Sequence, residues 1–175
     1  MPQGNSRNPI RGYVFWADDD FAPDRCGKKG RRARVTRVEK EGYTVITEYR
    51  PNPKVLCRWI KDSARAPRDR PKFLVLDQMW PGPPPLGEKG GWNLYKSNRN
   101  LILNGFYGVV FFTKNPTPEL EALIAHERAT QAPQIRAQHA LVDGPGGLVR
   151  ILDQWVKRWK QWKSEQEEGA KGSTK

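Results

Sequence analysis

The sequence predicts an α+β fold: a small antiparallel, barrel-like sheet running to about Phe112, followed by C-terminal helices. Three observations predict it. Short runs rich in aromatic and β-branched residues, bounded by Gly, Pro, Asn and Asp, fill the chain up to Phe112. Asn104-Gly105 between two apolar runs is the strongest hairpin signal in the chain. Beyond Thr117 the apolar spacing lengthens to that of a helix. A chain of 175 residues supports one domain with a real core rather than two ordinary ones.

In chain order, residues 1–8 are polar and read as a flexible tail. Tyr13-Val14-Phe15-Trp16 opens the first strand. A loop follows, with Asp18, Asp19 and Asp20 in its acidic half and a basic half that starts at Arg25. Residues 31–38 alternate imperfectly and predict a basic strand with Val35 on the buried side. Glu41-Gly42 signals a tight turn, and residues 43–49, YTVITEY, are the most strand-like stretch, completing an early antiparallel meander.

Residues 54–60 read as another strand or a short helical turn, and residues 73–79 as a buried strand. Residues 81–91, PGPPPLGEKGG, form a Pro/Gly loop. Residues 101–112 read as strand, tight turn, strand. Thr117-Pro118-Glu119 carries the marks of a helix start, and residues 135–142 suggest a second short helix. Residues 143–147 break the chain. The predicted organisation is one α+β domain over residues 9–142, a basic, Trp-rich amphipathic helix over residues 148–167, and a disordered tail over residues 168–175.

The formal net charge is +12, so the expected partner is an anion, nucleic acid first. From residue 25 to 38 the chain carries Arg25, Lys28, Lys29, Arg31, Arg32, Arg34 and Arg37 with no acid among them. Arg58, Trp59 and Lys61, and later Trp92 and Lys96, interleave rings with cations, a pairing that suits single strands because rings stack on bases while cations follow phosphates. The alternative for any one of the seven tryptophans is burial in the core. In the last helix Leu148, Leu152, Trp155, Trp159 and Trp162 fall on one stripe. Such a stripe serves as core or as a seam for a homodimer or protein partner, and its basic flanks also suit a phosphate backbone or a membrane surface.

No metal is expected: His126 and His139 share no zinc-like spacing with Cys26 or Cys57, and three adjacent aspartates in a loop are ordinarily solvated. No cofactor is expected either, since no phosphate-cradling glycine motif or nucleophile elbow is present. The two cysteines do not make a disulfide scaffold, no run approaches the ~18 apolar residues of a membrane span, and the first residues lack an apolar core. The expectation is a soluble, cytoplasmic protein with no membrane partner.

Residues 11–18, RGYVFWAD, a loop with Pro23, then Gly30-Arg31-Arg32 and a strand, resemble the opening of the MazF/PemK toxin family. Residues 43–49 are similar to that family's next strand and residues 73–78, FLVLDQ, to a later one ending in an acid and Gln. The resemblance covers roughly the first half of the chain. It implies an SH3-like barrel and a metal-independent endoribonuclease, with Arg31 or Arg32 contacting the phosphate or the transition state and Thr47 as a hydroxyl partner. The chain departs from the family where Arg32-Ala33 stands for Arg-Pro and where Pro51 falls at the usual hydroxyl position. The leading functional expectation is therefore a nucleic-acid-binding protein, RNA ahead of DNA, with an endoribonuclease as the enzymatic alternative. A third is a structural or accessory protein docking through its last helix.

Overall fold

The structure, a computed structural model, describes residues 10–18, 21, 28–49, 52–65, 70–78, 90–130 and 138–172. Five strands form one sheet: β1 (Gly12–Ala17), β2 (Tyr43–Glu48), β3 (Lys72–Asp77), β4 (Gly108–Phe112) and β5 (Gln138–Val142). Their order is β2-β1-β3-β4-β5 and every pairing is parallel. The helices are α1 (Lys28–Lys40), α2 (Pro53–Arg65), α3 (Gly90–Ser97), α4 (Arg99–Gly105), α5 (Pro118–Thr130) and α6 (Pro145–Gly172).

This overturns the antiparallel, SH3-like barrel. The central strands β1, β3 and β4 are almost entirely buried. Their runs VFW, FLVL and VVFF are continuous rather than alternating, because in a parallel sheet both faces are covered by helices. Val14, Trp16, Phe73, Val75, Val110 and Phe112 face a core shared with Val38 of α1 and with Leu148, Leu152, Trp155 and Val156 of α6. Phe15, Leu74, Leu76, Val109 and Phe111 face the opposite core, shared with Leu56 and Trp59 of α2, Tyr95 of α3, Ile102 of α4 and Leu120 of α5. The result is a doubly wound, three-layer α/β arrangement.

Three further expectations are corrected. Residues 31–38 are helical, within α1. The Arg and Ala of this segment are good helix formers, and among its described side chains only Val38 is fully buried, so helical spacing suffices to seat it. Asn104-Gly105 ends α4 rather than turning a hairpin: Phe106 N–H bonds Ile102 O at 3.0 Å, and a Cβ on Gly105 would press into Ile60 of α2. Residues 138–142 form β5, not a helix; Ala140 and Val142 are buried beside β4.

The helix start at Thr117 forms as its sequence predicts, with Leu120 N–H donating to Thr117 Oγ1 at 3.3 Å. At the opposite edge of the sheet, α6 is fastened by its Asp153. Tyr43 Oη donates to Asp153 Oδ1 at 2.7 Å, and Arg11 Nη2 lies 2.8 Å from the same oxygen. Burial, reinforced by that carboxylate, pushes the Tyr43 phenol far above its ordinary pKa, so it is a permanent donor here.

Candidate functional site at the carboxyl edge

In an open parallel sheet each strand leads into a helix whose amino end opens at the carboxyl edge, and ligands bind where the strand order reverses. Here the reversal lies between β1 and β3, which adjoin in the sheet and are followed by helices on opposite faces, α1 and α3. Ala17 pairs with Leu76, so the residues that follow, Asp18 and Asp77, leave the two strands at the same level. Both continue the alternation of Val14, Trp16, Phe73 and Val75, which places them on the α1 side of the sheet. Neighbouring strands are about 4.8 Å apart, so the two aspartates stand side by side at the crevice.

Asp18 is only 2% exposed. The expectation of a solvated acidic loop is thus corrected at this residue; Asp19 and Asp20 lie outside the described residues. Its backbone is fixed on both sides, by Asp18 N–H to Glu48 O and by Phe21 N–H to Asp18 O, each 3.0 Å. Its Oδ2 lies 3.3 Å from Arg34 Nη1, and that guanidinium also rests over the Phe21 ring. A buried carboxylate needs a positive partner, and α1 supplies one.

Next to the pair, Gln78 is 1% exposed and its Oε1 accepts the Trp92 N–H at the start of α3, 3.2 Å away. Its amide nitrogen finds no hydrogen-bond partner among the described residues. The start of α3 is pressed against the strand end, because a Cβ on Gly91 would collide with the Asp77 carbonyl oxygen. On the neighbouring strand, Asp77 pairs with Phe112, and buried Thr113 follows it. Thr113 N–H bonds Val142 O at 2.9 Å, and its Oγ1 accepts from Asn115 N–H. Among the described residues no three metal-ligating side chains converge. A pair of acids at one level of the sheet suits a magnesium-type site, in which one or two carboxylates bind the ion and phosphate oxygens and waters complete it.

The residues singled out from sequence are distributed differently. Arg25 lies outside the described residues. Lys28, Lys29, Arg31 and Arg32 belong to the first turns of α1, their side chains not described. Arg34 is engaged with Asp18, and Arg37 is exposed on α1. Thr47 is half-buried on edge strand β2. Arg58 and exposed Lys61 lie on α2, where Arg58 Nη2 is 3.5 Å from Glu48 Oε2. Trp59 is 2% exposed against Phe15, a core ring rather than a stacking platform. Trp92 is half-buried on α3, with the Lys96 ammonium 4.6 Å from its ring centroid.

The described cations of this set sit on helices α1, α2 and α3 rather than on neighbouring strands. The sequence reading noted Asp77 and Gln78 only as the end of a strand and passed over Thr113. The available signal was two apolar runs, YVFWA and FLVL, each ending in Asp.

No helix among the described residues is long and apolar enough to cross a membrane. Compared with known proteins, the chain matches no family model, no curated protein and no solved structure.

Proposed function

We propose that the protein is a phosphoryl-accepting regulatory domain, in which Asp77 receives a phosphoryl group and Asp18 holds the divalent cation that neutralises it. The observation that carries this reading is the in-register pair Asp18 and Asp77 at the point where the strand order reverses. An Asp77 oxygen attacks the phosphorus of a small acyl phosphate, the bond to the donor's acyl oxygen breaks, and the donor leaves as a carboxylate. One acyl phosphate becomes another, so no proton moves and no oxidant is needed. A cation held by Asp18 would offset charge on the transferring oxygens.

Arg34 gives this chemistry a readout. In the resting protein its guanidinium neutralises Asp18. A cation bound by Asp18 displaces it, and α1, which carries Arg34, packs directly on α6. Occupancy of the crevice is thereby reported on the α1–α6 face.

Incubating the protein with acetyl phosphate and Mg²⁺ and measuring intact mass tests the proposal. The expected product carries the mass of one phosphoryl group, is discharged by hydroxylamine, and is absent from Asp77→Asn. Asp18→Asn, or replacing Mg²⁺ with EDTA, lowers the labelling rate about tenfold or more. Labelling that persists in a folded Asp77→Asn protein, or a wild type that is never labelled, overturns it.

A further inference from the structure

The Trp stripe of the last helix, which the carboxyl-edge site does not use, ends in a recess at the other end of the sheet. Trp155 is in the core, Trp159 is 9% exposed, and Trp162, one turn further, is half-buried. Trp159 and Trp162 form one wall of a groove of about 340 Å³. The facing wall is the stretch entering β3, with Arg70 and Lys72, and the α4–β4 connection, with exposed Asn104. The two stretches of that facing wall are tied together by Tyr107 N–H to Lys72 O at 2.7 Å.

Two cations, an amide and two indoles line this groove, and among the described residues no carboxylate does. Its volume falls at the lower end of the range for small-ligand sites, enough for one nucleotide. On α6 the positive charge continues outward: Lys157, Arg158 and Lys160 are exposed, and Lys163 Nζ lies 5.4 Å from the Trp159 ring centroid.

We propose that this groove binds single-stranded nucleic acid, taking one base against Trp162 with the flanking phosphates on Arg70 and Lys72. Aromatic faces accept any unstacked base, and cations beside them follow the backbone. A duplex keeps its bases stacked and cannot present a face to the recess, so the selectivity is for single strands. The groove is remote from Asp77, and the inference does not depend on the phosphoryl-acceptor reading.

Fluorescence anisotropy with the full chain and a labelled oligouridylate of about twelve nucleotides tests this. Trp162→Ala is expected to weaken Kd about tenfold and Trp162→Phe to restore most of it. Arg70→Gln with Lys72→Gln is expected to weaken it similarly and to lower the salt slope by about 1.4, the loss of two single-strand phosphate contacts. Trp162→Ala should leave that slope unchanged. A matching duplex should bind about tenfold more weakly than the single strand. A Kd within about twofold of wild type for both folded variants, or equal binding of the duplex, overturns the proposal. Acetyl phosphate labelling of Asp77 is measured on the same variants and should not change.

Discussion

Replacing Arg99 with methionine is expected to lower the unfolding free energy by about 3 kcal/mol. Arg99 of α4 grips Glu127 of α5 with two parallel bonds, Nε to Oε1 at 2.6 Å and Nη2 to Oε2 at 2.7 Å. Glu127 is 1% exposed, so removing the guanidinium leaves a buried, unmatched carboxylate. Losing one partner of a buried pair costs about 3–5 kcal/mol, and the lower end applies because the Arg99 side chain is partly solvated. For a chain of this size the melting temperature should fall by roughly 6–12 °C.

The pH dependence separates this mechanism from simple loss of packing. Burial alone would raise the Glu127 pKa, but the hydrogen bonds and charge of Arg99 outweigh it and hold Glu127 below the usual glutamate range. A carboxylate with a depressed folded pKa contributes stability above its unfolded pKa of about 4.3, and that contribution is lost as pH falls through the folded value. In Arg99→Met burial is opposed only by the weaker His139 charge and Tyr95 hydrogen bond, so the folded pKa rises and that contribution shrinks. Urea unfolding between about pH 7 and pH 4 should therefore show the gap between variant and wild type closing on acidification. Arg99→Met combined with Glu127→Leu should recover most of the loss at neutral pH. A gap that is constant with pH contradicts the account.

The other large effect is expected at Trp155, where truncation to alanine should cost about 3–5 kcal/mol. Its ring is 4% exposed, lies 6.0 Å from the Phe73 centroid, and covers Gly108 at the start of β4. A Cβ on Gly108 would run into that ring, so helix and strand approach closely only because one side is bare. Gly108→Ala should therefore be destabilising in the wild type and markedly less so in Trp155→Ala, where the ring is gone. The two changes should couple by more than about 1 kcal/mol in a denaturant-unfolding cycle, well outside the scatter for independent sites. Additive effects would mean that the two residues do not share this contact.

Much of the element inventory was legible, and the connectivity was not. Residues 12–17, 43–48 and 72–77 are strands because their β-branched and aromatic residues fit a pleated surface. The same local signal does not say whether the neighbouring strand runs parallel. That information lay in the unbroken apolar character of FLVL and VVFF, which is buried on both faces. Residues 31–38 misled because Val35, Thr36 and Val38 favour strands locally, while Ala33 and the arginines beside them favour a helix. Asn104-Gly105 misled because a glycine needed for helix–helix approach is indistinguishable in sequence from one needed for a turn. The site escaped notice for a related reason: Asp18 and Asp77 are far apart in the chain, and only strand order makes them neighbours.

Helix α6 has 28 residues and is therefore about 42 Å long, whereas a five-residue strand spans about 17 Å. Its first half is clamped to the sheet, and after Lys163 every side chain through Gly169 is exposed. The far half is thus an arm hinged on a rigid plate. That half is about 21 Å long, so a tilt of about 5° at its base swings the tip by roughly 2 Å and carries a small event at the sheet outside the body of the molecule.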